Sequence, residues 1–346
     1  MKYNAFYPGK PWLDTNGNRI QAHAGYMLIE NGTFYWYGEN KEKSNTENDV
    51  WHWGVRLYSS QDLYNWKDEG IILEPELEDK TSPIYFNAKM DRPHILYNEK
   101  TGLYVMWLKV MSADSQGYAA MAVSESLKGP FRLVKTDYQP NGFEFGDYEL
   151  VKDAERAYVI YERPHSELVI TPLTEDYLGV EEENYNCYFC NKKPPFTREA
   201  PATFFYKGKI YMITSGTTSK FPNPSESAVA DSFMGDWQLI GDPHIGETKN
   251  TSFDSQISCI FKHPQKEGLF IAMADRWLVD LPEDMPDIRK IFEGMFDPAK
   301  PQIPCDFGKL TRKDTSIADY VWLPIQFEDG IPVIRWYDQW RWEDFT

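Results

Sequence analysis

Five polar residues, His23, Asp91, Asp147, Glu199 and Gln256, recur at intervals of 52 to 68 residues, each about ten positions ahead of a stretch rich in aromatic and aliphatic residues. Carboxyl groups can pass protons, and neighbouring carboxylates push one another's pKa values apart. An imidazole or an amide can hold water or a hydroxyl group in place. Brought to one axis, these five side chains would have the inventory of a carboxylate-driven hydrolase.

The elements that must position them are strands. Phe34 to Gly38, Leu103 to Leu108, Arg156 to Tyr161, Lys209 to Thr214 and Leu269 to Ala274 are the recurring runs. Asn31-Gly32, Thr101-Gly102, Lys207-Gly208 and Glu267-Gly268 supply a turn glycine just before four of them. Only Ala154-Glu155 lacks it. A further strand and polar turn follow in four copies, at Arg56–Trp66, Ala120–Phe131, Leu168–Leu178 and Ser227–Trp237, and Asp329-Gly330 marks a last hairpin. A period of this length fits blades of four-stranded sheet, so the expectation is an all-β, five-bladed β-propeller in which residues 1–346 form one domain.

The net charge of −17 and pI near 4.8 argue against nucleic acid and anionic membrane surfaces as partners. No apolar run is long enough to span a bilayer, and the first ten residues lack the apolar core of a secretory signal, which points to a cytoplasmic protein unless a signal has been trimmed. Cys187 and Cys190 make a lone C-x-x-C, and Cys259 and Cys305 add no second pair at zinc-ribbon spacing. Spare thiols are expected, with no metal site and no cofactor. His52, His94, His165, His244 and His263 show no metal-ligand spacing either.

Aromatic residues make up 16% of the chain. Most should fill gaps between twisted sheets, but a ring beside carboxylates can also carry the apolar face of a sugar. Trp51, Trp53, Trp277 and Trp322 are candidates for that role.

Asp14–Gly25, Tyr35–Glu39, Arg92–Asn98, Arg198–Pro201, Phe253–Gln256 and Asp275–Trp277, taken in order, resemble glycoside hydrolase family 43, and within it the exo-β-1,3-galactanase branch. The resemblance covers the chain from about Asp14 to Leu323. It implies a five-bladed propeller and hydrolysis with inversion, which needs an acid and a water-activating group with carboxyls roughly 6.5 to 9.5 Å apart.

The same resemblance makes Glu199, in Arg198-Glu-Ala-Pro201, the proton donor and Asp147 the neighbour that orients it and holds its pKa up. Glu149 and Glu144 are alternatives to Asp147, because Phe145-Gly-Asp-Tyr-Glu149 departs from the family wording. Where most members carry a first-blade aspartate, this chain has Gln21-Ala-His-Ala-Gly25. The galactanase branch shares that absence, and its second-blade acid and fifth-blade glutamine correspond to Asp91 and Gln256. That branch more often has glutamate at the second-blade position. The plain alternatives are a strand-end Asp91 paired with arginine, a core Gln256 satisfying backbone groups and a surface Glu199.

His23 is either a floor residue of the funnel or a buried histidine tying the first strand to a neighbour. Arg92 and Arg276 are expected to brace carboxylates, or else to be solvated. The implied activity is release of galactose from the non-reducing end of β-1,3-galactan, with Asn40–Asp49 and Asn184–Phe196 closing one side of the funnel. An arabinofuranosidase or xylosidase of the same family, and a sugar-binding propeller without catalysis, are the other readings. In each case the partner is an oligo- or polysaccharide.

Overall fold

The computed structural model describes residues 2–112, 115–281, 287–304 and 314–345. Five antiparallel sheets follow one another along the chain. The first contains β1 (His23–Glu30), β2 (Thr33–Glu39), β3 (Val55–Ser60) and β4 (Lys67–Leu73), and the second β5 (Lys89–Asn98), β6 (Leu103–Met111), β7 (Gly117–Ser124) and β8 (Arg132–Tyr138). The third holds β9 (Tyr148–Lys152), β10 (Ala157–Arg163), β11 (Glu167–Pro172) and β12 (Asn186–Tyr188), and the fourth β13 (Arg198–Tyr206), β14 (Lys209–Gly216), β15 (Glu226–Ala230) and β16 (Gln238–Gly241). The last comprises β17 (His244–Ile245), β18 (Gln256–Lys262), β19 (Phe270–Arg276), β20 (Asp319–Glu328) and β21 (Ile331–Arg335).

Strands β1, β5, β9, β13 and β18 touch in that order, and β18 returns to β1. They are the hub of a five-bladed β-propeller. The blades grow outward as meanders, except that β17 joins the outer edge of the fifth blade in parallel with β21.

The turn chemistry explains the register of the hairpins. Asn31 (φ 50°) and Gly32 (φ 77°), Lys207 (φ 47°) and Gly208 (φ 75°), and Asp329 (φ 51°) and Gly330 (φ 81°) take left-handed conformations in succession, which matches the twist of the strands they join. The third hairpin manages without glycine. The Asp153 side chain accepts from the backbone N–H of Glu155 and of Arg156, both at 2.8 Å, and closes the turn itself.

The first and last blades are joined by the N-terminal segment. The backbone N–H of Phe6 donates to the carbonyl of Trp340 at 2.8 Å, and that of Gly9 to Tyr320 at 2.7 Å. Trp12, Trp36, Trp66 and Trp322 pack edge to face or tilted inside this seam, and Phe6 stacks on Trp340. Truncating one such indole typically costs ~3–5 kcal/mol. Trp322 is therefore core: at 2% exposure it cannot grip a sugar, contrary to the sequence expectation.

Two further departures bear on the pocket end. Asn184–Phe196 is not a lid, because its Asn186–Tyr188 portion is strand β12 at the outer edge of blade three. A helix that the strand pattern gave no sign of, α1 (Ile288–Phe296), lies between β19 and β20. Asp287 caps it, and its buried Ile288, Ile291 and Phe292 pack with Phe221, Trp277 and Leu278.

Candidate active site

Each of the five polar residues sits at the start of an inner strand, or, for Asp147, one residue before it. Register shifts follow directly after His23, Asp91 and Glu199, and the residues next to them, Ala24, Arg92 and Ala200, have φ of 43°, 51° and 50°. A β-bulge repeated in three blades thus turns the strand end and re-aims the side chain before the bulge. Asp91, Asp147, Glu199 and Gln256 line one pocket of about 250 Å³ with Glu39, Trp51, Arg92, Lys109, Lys220 and Trp277.

Gln256 joins the two halves of this pocket. Arg92 has only donors, so the group facing its Nη2 at 2.8 Å must be the Gln256 carbonyl oxygen. That fixes the amide. Its Nε2 then donates to Glu199 Oε1 at 3.1 Å and to Ser215 Oγ at 2.7 Å, and Ser215 is the register partner of Glu199 across the β13–β14 pair.

Asp147 is clamped between two cations, with Arg92 Nε 2.8 Å from Oδ2 and Lys109 Nζ 2.9 Å from Oδ1. Its backbone is held as firmly. The Gly146 N–H donates to the Glu162 carbonyl and the Glu162 N–H to the Asp147 carbonyl, each at 2.8 Å. A side chain at position 146 would come within 2.4 Å of Glu162 Oε2, so the close approach requires glycine. Of the alternatives to Asp147, Glu144 is exposed, and Glu149 is buried between inner strands, accepting from the Thr203 N–H at 3.1 Å. Neither lines the pocket.

The electrostatics separate the carboxyls. Burial, followed by the negative charges of Asp147 and Glu162, pushes Glu199 well above the ordinary carboxyl range. Burial also opposes ionisation of Asp147, but Arg92 and Lys109 outweigh it and hold this group below its usual value. Asp91 is likewise held low against burial, by Lys41, Lys109, a 2.7 Å hydrogen bond from Trp51 Nε1, and Lys220. One carboxyl is thus kept protonated beside two kept ionised, the division of labour that acid–base chemistry needs.

The segment after β2 supplies the wall beside Asp91. Lys41, almost fully buried, pairs with Glu39 at 2.7 Å, reaches Asp91 at 3.8 Å and donates to the Trp51 carbonyl at 2.9 Å. Glu39 in turn accepts from the Arg92 N–H at 2.8 Å, while burial lifts its carboxyl to about 7. The turn carrying Ser219 and Lys220 also lines the pocket, where the sequence had suggested Asn184–Phe196.

His23, Arg276 and Trp53 do not line the pocket. His23 is fully buried: Nδ1 lies 3.0 Å from Asp275 Oδ1, the ring stacks on Tyr320, and Asp275 Oδ2 takes the Ala24 N–H at 2.9 Å. The histidine ties β1 to β19, the second of its two expected roles. Arg276 braces no pocket carboxylate. Its Nη2 donates to the Phe253 carbonyl at 2.8 Å, its guanidinium lies over Trp336, and it packs so tightly on Gly9 that a Cβ there would sit 2.3 Å from Nη1. Trp53 instead carries the Lys43 ammonium 3.4 Å from its ring centre.

Sequence reasoning missed Lys41, Lys109, Lys220, Glu39 and Ser215. Lys109 left a trace, as the single charge in the run Leu103–Met111. Lys41 left none, because it lies in a charged loop that reads as solvated. Cys187 and Cys190 are exposed free thiols, and Cys259 is a buried one; Cys305 lies outside the described residues. Among the described residues no cluster of His, Cys, Asp or Glu is arranged to hold a metal, and no helix is long and apolar enough to cross a membrane.

The sequence profile of glycosyl hydrolases family 43 matches residues 20–261. A family 43 β-1,3-galactosidase of known structure is 30% identical, with a TM-score of 0.81, over 99% of this chain and 65% of its own. This chain therefore spans just under two thirds of that relative. A second family 43 β-1,3-galactosidase, solved with galactodeoxynojirimycin, is also 30% identical, over 97% of this chain and all of its own, with a TM-score of 0.78. An exo-β-1,3-galactanase from Clostridium thermocellum is 26% identical over 97% of this chain and 66% of its own, with a TM-score of 0.76. No curated protein sequence matches the chain.

Proposed function

The chain belongs to glycosyl hydrolase family 43, and on that premise we propose that it releases galactose from the non-reducing end of β-1,3-galactan with inversion. The observation that carries this reading is the pocket in which the Gln256 amide links Glu199 to Arg92, and Arg92 links on to Asp147.

Glu199, kept protonated by burial and by Asp147, gives its proton to the departing glycosidic oxygen. As charge builds on Glu199, the Gln256 Nε2–H already pointing at Oε1 stabilises the carboxylate, and the Arg92–Asp147–Lys109 cluster keeps both side chains in place. Asp91, held ionised, is the group able to accept a proton from the attacking water, since the Gln256 amide has no basic atom at neutral pH. Trp51 and Trp277 offer ring faces to the sugar. The galactose specificity leans on the two β-1,3-galactosidases that are 30% identical to this chain.

Product analysis on β-1,3-galactan, arabinan and xylan tests the proposal. Galactose as the sole early product, with the anomeric configuration inverted by NMR, is expected. Mixed oligosaccharides early in the reaction would overturn the exo mode, and arabinose or xylose release would overturn the substrate.

A further inference from the structure

Four cations line the pocket, Lys89, Arg92, Lys109 and Lys220, and only two of them are committed. Arg92 and Lys109 share Asp147. Behind the wall, Lys41 takes Glu39 and approaches Asp91, which also has the Trp51 N–H. Among the described residues neither Lys89 nor Lys220 has a carboxylate partner. The hydrogen bond found for Lys89 is a long contact of 3.9 Å to the Met111 sulfur. Lys220 lies 4.6 Å from the Trp51 ring centre and 5.5 Å from that of Trp277, and Lys89 lies 6.0 Å from Trp51.

Lys220 is partly buried and has no carboxylate within ion-pair distance among the described residues, and two ring faces return only part of what it costs to withdraw an ammonium group from water. Burial and the nearby charge of Lys41 bring Lys220 down to about 8, against the pull of the Asp91 and Glu39 charges, which Lys41 and Lys109 already share. A neutral sugar gives such groups no counter-charge. The arrangement also runs against the chain as a whole, whose net charge is −17.

Resting on the glycosidase reading above, we propose that Lys89 and Lys220 are specificity residues that receive an anionic substituent of the galactan, a uronate carboxylate or a sulfate ester. The anion would sit beside Trp51, between the strand start that carries Lys89 and the turn that carries Lys220. One compact ammonium from each side suits a single group with several acceptor oxygens. A partly exposed pairing of this kind is expected to favour the anionic saccharide by about fivefold per lysine at low ionic strength, with less effect as salt rises.

The test is calorimetric binding of three probes to the full chain carrying Glu199→Gln, so that they are not consumed: β-1,3-galactobiose, the same disaccharide bearing a glucuronate branch, and its 6-sulfate. Tighter binding of one or both anionic probes is expected, with the preference shrinking in salt and collapsing in Lys89→Met and Lys220→Met. Lys89 is exposed, so its variant reports on binding even if the Lys220 change disturbs the turn. Response to glucuronate alone or to sulfate alone identifies the source of the anion. Equal or weaker binding of both anionic probes overturns the proposal. Turnover of unsubstituted galactobiose, measured in parallel with Glu199 in place, reports on the glycosidase reading alone. Turnover without anionic preference sinks only the lysine site, and preference without turnover sinks only the catalytic reading.

Discussion

His23 and Glu199 begin from the same place in the repeat, at the start of an inner strand and just ahead of a left-handed alanine. Blade one uses that place for support and blade four for chemistry. The difference lies in who meets the side chain. Asp275, from the neighbouring blade, satisfies both the His23 ring and the backbone behind it, and Tyr320 covers the ring. Glu199 meets a neutral amide and two nearby carboxyls, so its charge is left unbalanced and its proton is retained. Position in a repeat decides where a side chain points, and the partners decide what it can do.

The widest contrast between the two clusters is expected from Glu199→Gln. Losing general-acid help should lower kcat by roughly 10²- to 10⁴-fold on substrates with poor leaving groups, and much less on an activated aryl glycoside. Equal losses on both would mean that the acid has been assigned to the wrong residue.

Asp147→Asn should act through Glu199. Removing the negative neighbour while leaving Arg92 and Lys109 in place lowers the pKa of the acid, which must be protonated to work. The alkaline limb of the pH profile should therefore move to lower pH by about one unit, close to a tenfold loss at a fixed pH on that limb. An unmoved limb would separate Asp147 from the titration of Glu199. The acid limb should follow protonation of Asp91, which is held below its ordinary value.

In the supporting cluster the effect should appear in stability. Asp275→Ala orphans the His23 ring and the Ala24 N–H inside the fold, which should cost about 3 kcal/mol in urea unfolding, while the folded fraction loses less activity than either pocket variant. His23 adds a pH signature. Its folded pKa is lowered by burial, so protonation favours the unfolded chain, and the stability it contributes is lost as pH falls from about 6.5 towards the folded value. The smallest effect is expected for Arg276→Met, within about twofold in kcat, because that guanidinium braces Phe253 and Gly9 and no pocket carboxylate. A large kcat loss there would return Arg276 to the site.

The blades were legible in the sequence because a turn glycine and an aromatic and aliphatic run are local features, repeated with the glycine in four copies and without it in the third. Asp91, Asp147 and Glu199 were legible for the same reason, as they hold one position per copy, whereas Glu39 ends β2 and lies off that position. Lys41, Lys220 and Ser215 were not, since their places depend on which loops fold inward, and loops carry no period. Trp322 misled because an indole in a strand reads alike whether it faces a pocket or a core, while its own side chain faces the seam with Trp36 and Trp66. Helix α1 escaped notice as a nine-residue segment inside a strand-dominated pattern.

The bulges at the mouth of the pocket have an energetic side. Ala24, Arg92 and Ala200 are L-residues in a conformation that costs each of them on the order of 1 kcal/mol, and none of the three is glycine. The strain is concentrated where the side chains are aimed and is sustained by the five hub strands, which hold the kinks from both sides. Relaxing it, by glycine at Ala200 for instance, would ease the backbone and at the same time widen the range of directions open to Glu199. The ring is in this sense less stable than its sheets would allow, and the shortfall lies at the one rim where aim matters.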